Sequence, residues 1–250
     1  MSSNLPNQTD NLIELIRDIY GSEFIPLHRP VFEGNERKYL IECIDSNFVS
    51  SVGQNVKKFE QITANFSGTT NGVATVNGTS ALHTALLVSG VNAGEEVITQ
   101  ALTFVATCNA ISYCGASPVF IDVDRDTLGL SPNALEKWLS ENAELIDGHG
   151  FNKKTGARIS ACVPMHTFGF PLRIAEIVEI CEVFGITVIE DAAESLGSYV
   201  GDRHTGAFGE LATLSFNGNK VITIGGGGMI LTDNDELAKK ALHLTTTAKV

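Results

Sequence analysis

The chain has 250 residues, 43% hydrophobic and 18% charged, with 29 acidic against 17 basic side chains and a net charge of −12. This composition excludes a disordered chain and supports a sizeable core, as one large domain or two small ones. The negative balance argues against nucleic acid or an anionic membrane surface as partner, since both need a basic face; it leaves room for a phosphorylated small molecule held by backbone N–H groups.

The opening MSSNLPNQTDN lacks the basic start and apolar block of a signal peptide. No apolar run reaches the ~18 residues of a membrane span, so a cytoplasmic protein is expected. The five cysteines (43, 108, 114, 162, 181) form no C-x-x-C pair and read as reduced thiols, with no metal site expected. The stretch 10–66 reads as largely helical: Leu12, Ile13, Ile16 and Ile19 recur at helical spacing, as do Val56, Phe59 and Ile62. Between them, FIPLHRPVF carries two prolines and is expected to be extended.

From residue 72 onward, short β-rich runs alternate with helical ones. Strands are expected at 72–76, 96–99, 118–123, 159–165, 186–189, 211–216 and 229–232, and helices at 79–90, 104–114, 132–144, 172–184 and 235–244. The runs VIT, VFIDV and ITVIE are apolar without clean alternation, as strands buried on both faces require. The alternation predicts an α/β fold with a mainly parallel sheet. The segment 148–156, GHGFNKKTG, reads as a surface loop.

Ligands of open parallel sheets sit beyond the C-terminal strand ends, so the residues following each strand are the candidates. The first strand is followed by Asn77-Gly78-Thr79-Ser80, a strand-to-helix turn whose amides and hydroxyls suit a phosphate or simply cap the helix. Phe104 follows the second, either as core or as a ring that stacks on a planar group. His166 follows the fourth. Asp191 follows ITVIE, with Glu194 close behind, and a carboxylate there needs a cation or donors. Lys220 lies between Ser215 and Gly225–Gly228, where a solvated loop lysine is the simplest reading. No G-x-x-x-x-G-K-[ST] occurs, and no G-x-G-x-x-G follows a strand, which counts against a nicotinamide enzyme. Taken together, a phosphate cradle, a ring, a carboxylate and a lysine are the inventory that pyridoxal phosphate needs.

At NGTSALHTAL (77–86), GEEVITQALTFVATCNAI (94–111), GASPVFIDVD (115–124), IEDAAESLGS (189–198) and SFNGNKVITIGGGGMI (215–230) the chain resembles the sugar aminotransferases of the DegT/DnrJ/EryC1/StrS family. The resemblance implies a seven-stranded, mainly parallel sheet sandwiched by helices, as in the large domain of type I pyridoxal-phosphate enzymes. It implies that Lys220 is the Schiff-base lysine, Asp191 the partner of the pyridine nitrogen and Phe104 the ring stacked on the cofactor. Thr79, Ser80 and Ser215 take phosphate-binding places, and Glu194 a place near the cofactor's phenolic oxygen that is often Gln or His. Family members with His in place of the lysine dehydrate instead of transaminating, and Lys220 argues against that. SFNGNK and IPLHRPVFEGNE are similar to enzymes that aminate C4 of a UDP-linked 4-keto-6-deoxy-N-acetylhexosamine, of the bacillosamine and legionaminic acid kind. The resemblance further implies L-glutamate as donor, a nucleotide sugar as acceptor and a homodimer with a shared active site. It divides the chain into an N-terminal helical and extended segment (1–35) and a cofactor-binding large domain (36–250). Family members continue into a small C-terminal domain expected to be absent here. The alternative to a working aminotransferase is therefore a catalytically incomplete cofactor-binding fragment.

Overall fold

The computed structural model describes residues 5–51, 53–246 and 248. The chain divides into two compact units, Met1–Phe32 and Glu33–Val250. The first holds helix α1 (Leu5–Tyr20), and the second all other elements. Helices α2 (Glu36–Ser46) and α3 (Gln54–Ser67) open the second unit, and each ends on a left-handed residue, Asn47 and Gly68. Among the described residues, no helix is long and apolar enough to cross a membrane.

Strands β1 (Asn71–Thr75), β2 (Glu96–Gln100), β3 (Ser117–Ile121), β6 (Ile159–Val163), β7 (Thr187–Asp191), β10 (Leu211–Ser215) and β11 (Gly228–Thr232) form one seven-stranded sheet in the order β1-β11-β10-β7-β6-β2-β3. Neighbours pair in parallel except around β11, which runs antiparallel to both β1 and β10. All the other strands therefore end at the same edge, where β11 begins. The expected strands lie within a few residues of these, and the sheet is mainly parallel with seven strands as expected.

Helices α4 (Gly78–Val88), α5 (Val105–Tyr113), α6 (Pro132–Asn142), α7 (Ile174–Val183) and α8 (Asp235–Thr245) cover the sheet. Strand periodicity decides which face each residue enters. Val97, Val163 and Ile189 pack with Ala81, Leu86, Ile111 and Ala238 of α4, α5 and α8. Their neighbours Ile98, Cys162 and Val188 pack with Leu135, Leu139, Ile174 and Ile177 of α6 and α7. Both faces being apolar, these strands show no alternation in sequence. Each fully buried Leu or Ile contributes about 1.5–3 kcal/mol. Phe216, just past β10, meets Phe59 of α3 edge-on at 4.9 Å between ring centroids.

One hairpin corrects the sequence reading, and a second lies where none was expected. The expected helix over 132–144 stops at Asn142, and β4 (Ala143–Ile146) pairs antiparallel with β5 (His149–Asn152), so the expected loop at 148–156 is half strand. The turn is Asp147-Gly148, with φ of 50° and 80°, the doubly left-handed pair that matches strand twist in a two-residue hairpin. The second, β8 (Tyr199–Val200) with β9 (Arg203–His204), turns through Gly201 at φ 60°.

Candidate active site

The loops at the shared edge enclose a cavity of about 320 Å³, within the range of small-molecule sites. Thr79, Phe104, Asp191, Glu194, Ser215 and Lys220, all nominated from the sequence, line it. Ser80, also nominated, is not among the lining residues. Its amide donates to Asn77 Oδ1 at 2.8 Å, so Asn77 caps α4. With that capping role filled, the first-turn amides of Gly78 and Thr79 have no helical partner and face the cavity's end of the helix, where the dipole favours an anion. Gly78 lies so close to β10 that a Cβ on it would stand 2.8 Å from Ser215 Cβ. Across the sheet edge, a Cβ on Gly228 would stand 2.4 Å from the Asn77 carbonyl oxygen. Both glycines allow α4, β10 and β11 to converge.

Phe104 is the N-cap of α5 and leaves its ring 60% exposed. That exposure rules out the core role weighed from the sequence. The Lys220 ammonium lies 5.8 Å from the ring centroid.

Glu190 and Asp191 are adjacent on β7 and are shifted in opposite directions. Glu190, fully buried, accepts from the amides of Gly206, Phe208 and Gly209 at 2.8, 2.6 and 2.8 Å and pairs with His166 Nε2 at 2.9 Å. Burial pushes its carboxyl up, but the hydrogen bond from His166 and those from the Gly209 and Gly206 amides outweigh it and hold it below the usual range. His166 Nδ1 accepts from the Leu172 amide at 3.3 Å, which leaves the proton on Nε2, facing Glu190. Asp191 points the other way, into the cavity. It accepts from Thr107 Oγ1 at 2.7 Å and the Ala193 amide at 3.2 Å. Burial dominates here and pushes its carboxyl up; Thr107, Ala193 and the Lys220 charge only partly oppose it. Such a carboxylate is poised for a cation that brings its own charge into the cavity.

Lys220 follows a tight turn, its amide donating to the Asn217 carbonyl at 3.0 Å. Its Nζ contacts Glu194 Oε1 at 3.0 Å, and the second oxygen of Glu194 accepts from the Phe168 amide at 3.0 Å. The lysine is thus largely buried and held, not a solvated loop residue. These residues fit pyridoxal phosphate: an amine, a buried carboxylate, an open ring and a cradle already so tight that a Cβ at Gly78 would collide with Ser215.

Sequence reasoning missed Thr107 and gave no role to Glu190, Asn217 or Asn219, although all three follow expected strands at the candidate edge. Thr107 sits inside an apolar helix and carries no local signal. Asn77 was in view, but its role as the cap went to its neighbours.

The model described as the DegT/DnrJ/EryC1/StrS aminotransferase family matches residues 30–250. The GDP-perosamine synthase of Caulobacter vibrioides is 39% identical over 216 residues, 86% of this chain and 54% of that protein. The GDP-perosamine synthase of Escherichia coli O157:H7 is 38% identical, covering 88% of this chain and 56% of that protein. Among solved structures, DesI in the presence of its TDP-sugar product matches with a TM-score of 0.76 at 28% identity, over 87% of this chain and 51% of that one. The chain spans about half the length of the curated relatives it matches.

Proposed function

Since the chain belongs to the DegT/DnrJ/EryC1/StrS aminotransferase family, whose members depend on pyridoxal phosphate, we propose that it moves an amino group from L-glutamate to the C4 keto group of a nucleotide-linked 4-keto-6-deoxy sugar. The observation that carries this reading is the convergence of Lys220, Asp191, Phe104, Thr79 and Ser215 on one cavity. The names of the relatives, GDP-perosamine synthases and a protein crystallised with a TDP-sugar, support a nucleotide sugar as acceptor. Residues 36–250 serve as the cofactor-binding domain, 1–35 as the segment leading into it, and the working unit is a homodimer.

When bound, the cofactor supplies a ring that draws electrons away from the amino donor's α-carbon. The protein's own part follows from the geometry. Lys220 Nζ anchors the cofactor, then takes a proton from the donor's α-carbon and later returns one on the sugar side. Asp191, oriented by Thr107 and the Ala193 amide, holds a proton on the ring nitrogen. The exposed Phe104 ring would offer the cofactor a flat apolar surface. Thr79, Ser215 and the first-turn amides of Gly78 and Thr79 would hold the phosphate. Glu194 keeps Lys220 Nζ in place through its 3.0 Å contact.

The test is to incubate the chain with pyridoxal phosphate, ¹⁵N-glutamate and a nucleotide 4-keto-6-deoxy sugar, and to read the sugar by mass spectrometry. ¹⁵N in the sugar supports the reading. Cofactor retained without labelled sugar favours the alternative, a cofactor-binding chain without turnover. Neither retention nor label would refute both.

A further inference from the structure

Helix α5 begins at the cavity, and two residues at its start, Phe104 and Thr107, bear on the site. Phe104 is the cap, and Thr107, three residues on, donates its backbone amide to the Phe104 carbonyl at 3.0 Å. Phe104 turns its ring outward to the cavity, whereas Thr107 is fully buried. Its hydroxyl has one proton, and the nearest carboxylate oxygen, Asp191 Oδ2, lies at 2.7 Å. Thr103 Oγ1 stands 2.9 Å behind it as donor. The result is a directed chain of hydroxyls, Thr103 to Thr107 to Asp191. Thr103 is also 3.2 Å from Met165 Sδ, a much weaker acceptor.

We propose that Thr107 is a positioning residue for Asp191: its hydroxyl aims the carboxylate into the cavity and keeps it ionised, so that the proton resides on the ring nitrogen of the cofactor. The inference rests on the cofactor reading above and deepens it. Other groups bear on Asp191 as well. The Lys220 charge favours the carboxylate, the Glu194 charge opposes it, and the Ala193 amide holds the other oxygen. The His166 ring, although its backbone amide meets the Asp191 carbonyl at 3.1 Å, is committed to Glu190. Against the burial that pushes Asp191 toward its neutral form, Thr107 supplies the shortest hydrogen bond to the carboxylate. A neutral Asp191 would itself carry the proton and leave the ring nitrogen without its partner charge.

The experiment compares wild type, Thr107→Val and Thr107→Ser in the full chain without cofactor. Asp191 is followed by carboxyl ¹³C NMR after labelling aspartate, its signal identified by its loss in Asp191→Asn. Removing a hydrogen bond to a charged group is expected to raise the proton affinity of Asp191 at least about tenfold in Thr107→Val, with Thr107→Ser close to wild type. Loaded with pyridoxal phosphate, Thr107→Val should lose kcat about tenfold or more with KM little changed. If Thr107→Val is not folded by circular dichroism, Thr107→Ala is read in the same way. An Asp191 titration that does not move, or a serine variant as perturbed as valine, overturns the proposal. A wild-type chain that takes up no pyridoxal phosphate overturns the function reading instead, while the cofactor-free titration still decides whether Thr107 governs Asp191.

Discussion

Gly78→Ala probes the cradle. The added Cβ would lie 2.8 Å from Ser215 Cβ and 3.1 Å from its Oγ, whereas non-bonded carbons settle at about 3.5–4.0 Å. Rotating Ser215 relieves the oxygen but not the Cβ, so the start of α4 must back away from the end of β10 by several tenths of an ångström. Overpacking of this kind costs about 1–3 kcal/mol. Replacing glycine at a helix start returns about 0.4–1 kcal/mol through the unfolded chain. The expected net loss of stability is therefore modest, about 0–2.6 kcal/mol. Cofactor affinity should suffer more, because the shift displaces both the Ser215 hydroxyl and the first-turn amides. Losing one charge-assisted contact corresponds to roughly tenfold to hundredfold weaker binding. Denaturant unfolding without cofactor gives the first number, and equilibrium titration with pyridoxal phosphate the second. A variant that binds the cofactor within about twofold of wild type would refute the cradle reasoning, whatever its stability.

Asp191→Asn should retain cofactor binding but lower kcat at least about a hundredfold, measured with saturating donor and acceptor; a near-normal rate would make Asp191 structural. The pH signs of the neighbouring carboxylates differ. Asp191 is raised, so without cofactor its contribution to stability is full below the ordinary carboxyl range and is lost as pH rises through its folded value; Asp191→Asn should flatten that decline in urea unfolding. Glu190 is lowered, so its contribution is present above about pH 4.3 and is lost as pH falls through its depressed folded value. Glu190→Gln leaves His166 and the Gly206, Phe208 and Gly209 amides facing a group that cannot accept from all of them, and should cost about 3–5 kcal/mol in denaturant unfolding at pH 7.

The legible parts of this fold were those governed by local rules. Ile98, Cys162 and Val188 read as strand residues because a doubly buried strand is a short apolar run. Asp191 and Lys220 read as candidates because ligands gather at C-terminal strand ends. Asp147-Gly148 is a strong hairpin signal, but the helix expected over 132–144 ran into the first two residues of β4, and the residues after the turn were read as loop. What stayed hidden is non-local. The insertion of β11 between β1 and β10 depends on pairing Gly228 not only with nearby Ser215 but with Thr75, far away in sequence. Glu190 looked like part of an apolar strand until His166 and the amides of 206–209 closed around it. Thr107 gains its meaning only from a carboxylate 84 residues away.

The central claim is that Lys220 is the residue that holds the cofactor. Reducing the chain with borohydride in the presence of pyridoxal phosphate, then digesting it and locating the added mass by peptide mass spectrometry, tests it directly. The account expects the label on the peptide carrying Lys220, in one-to-one yield with chain, and no specific label in Lys220→Ala. Label on another lysine, or undiminished labelling of Lys220→Ala, would contradict it.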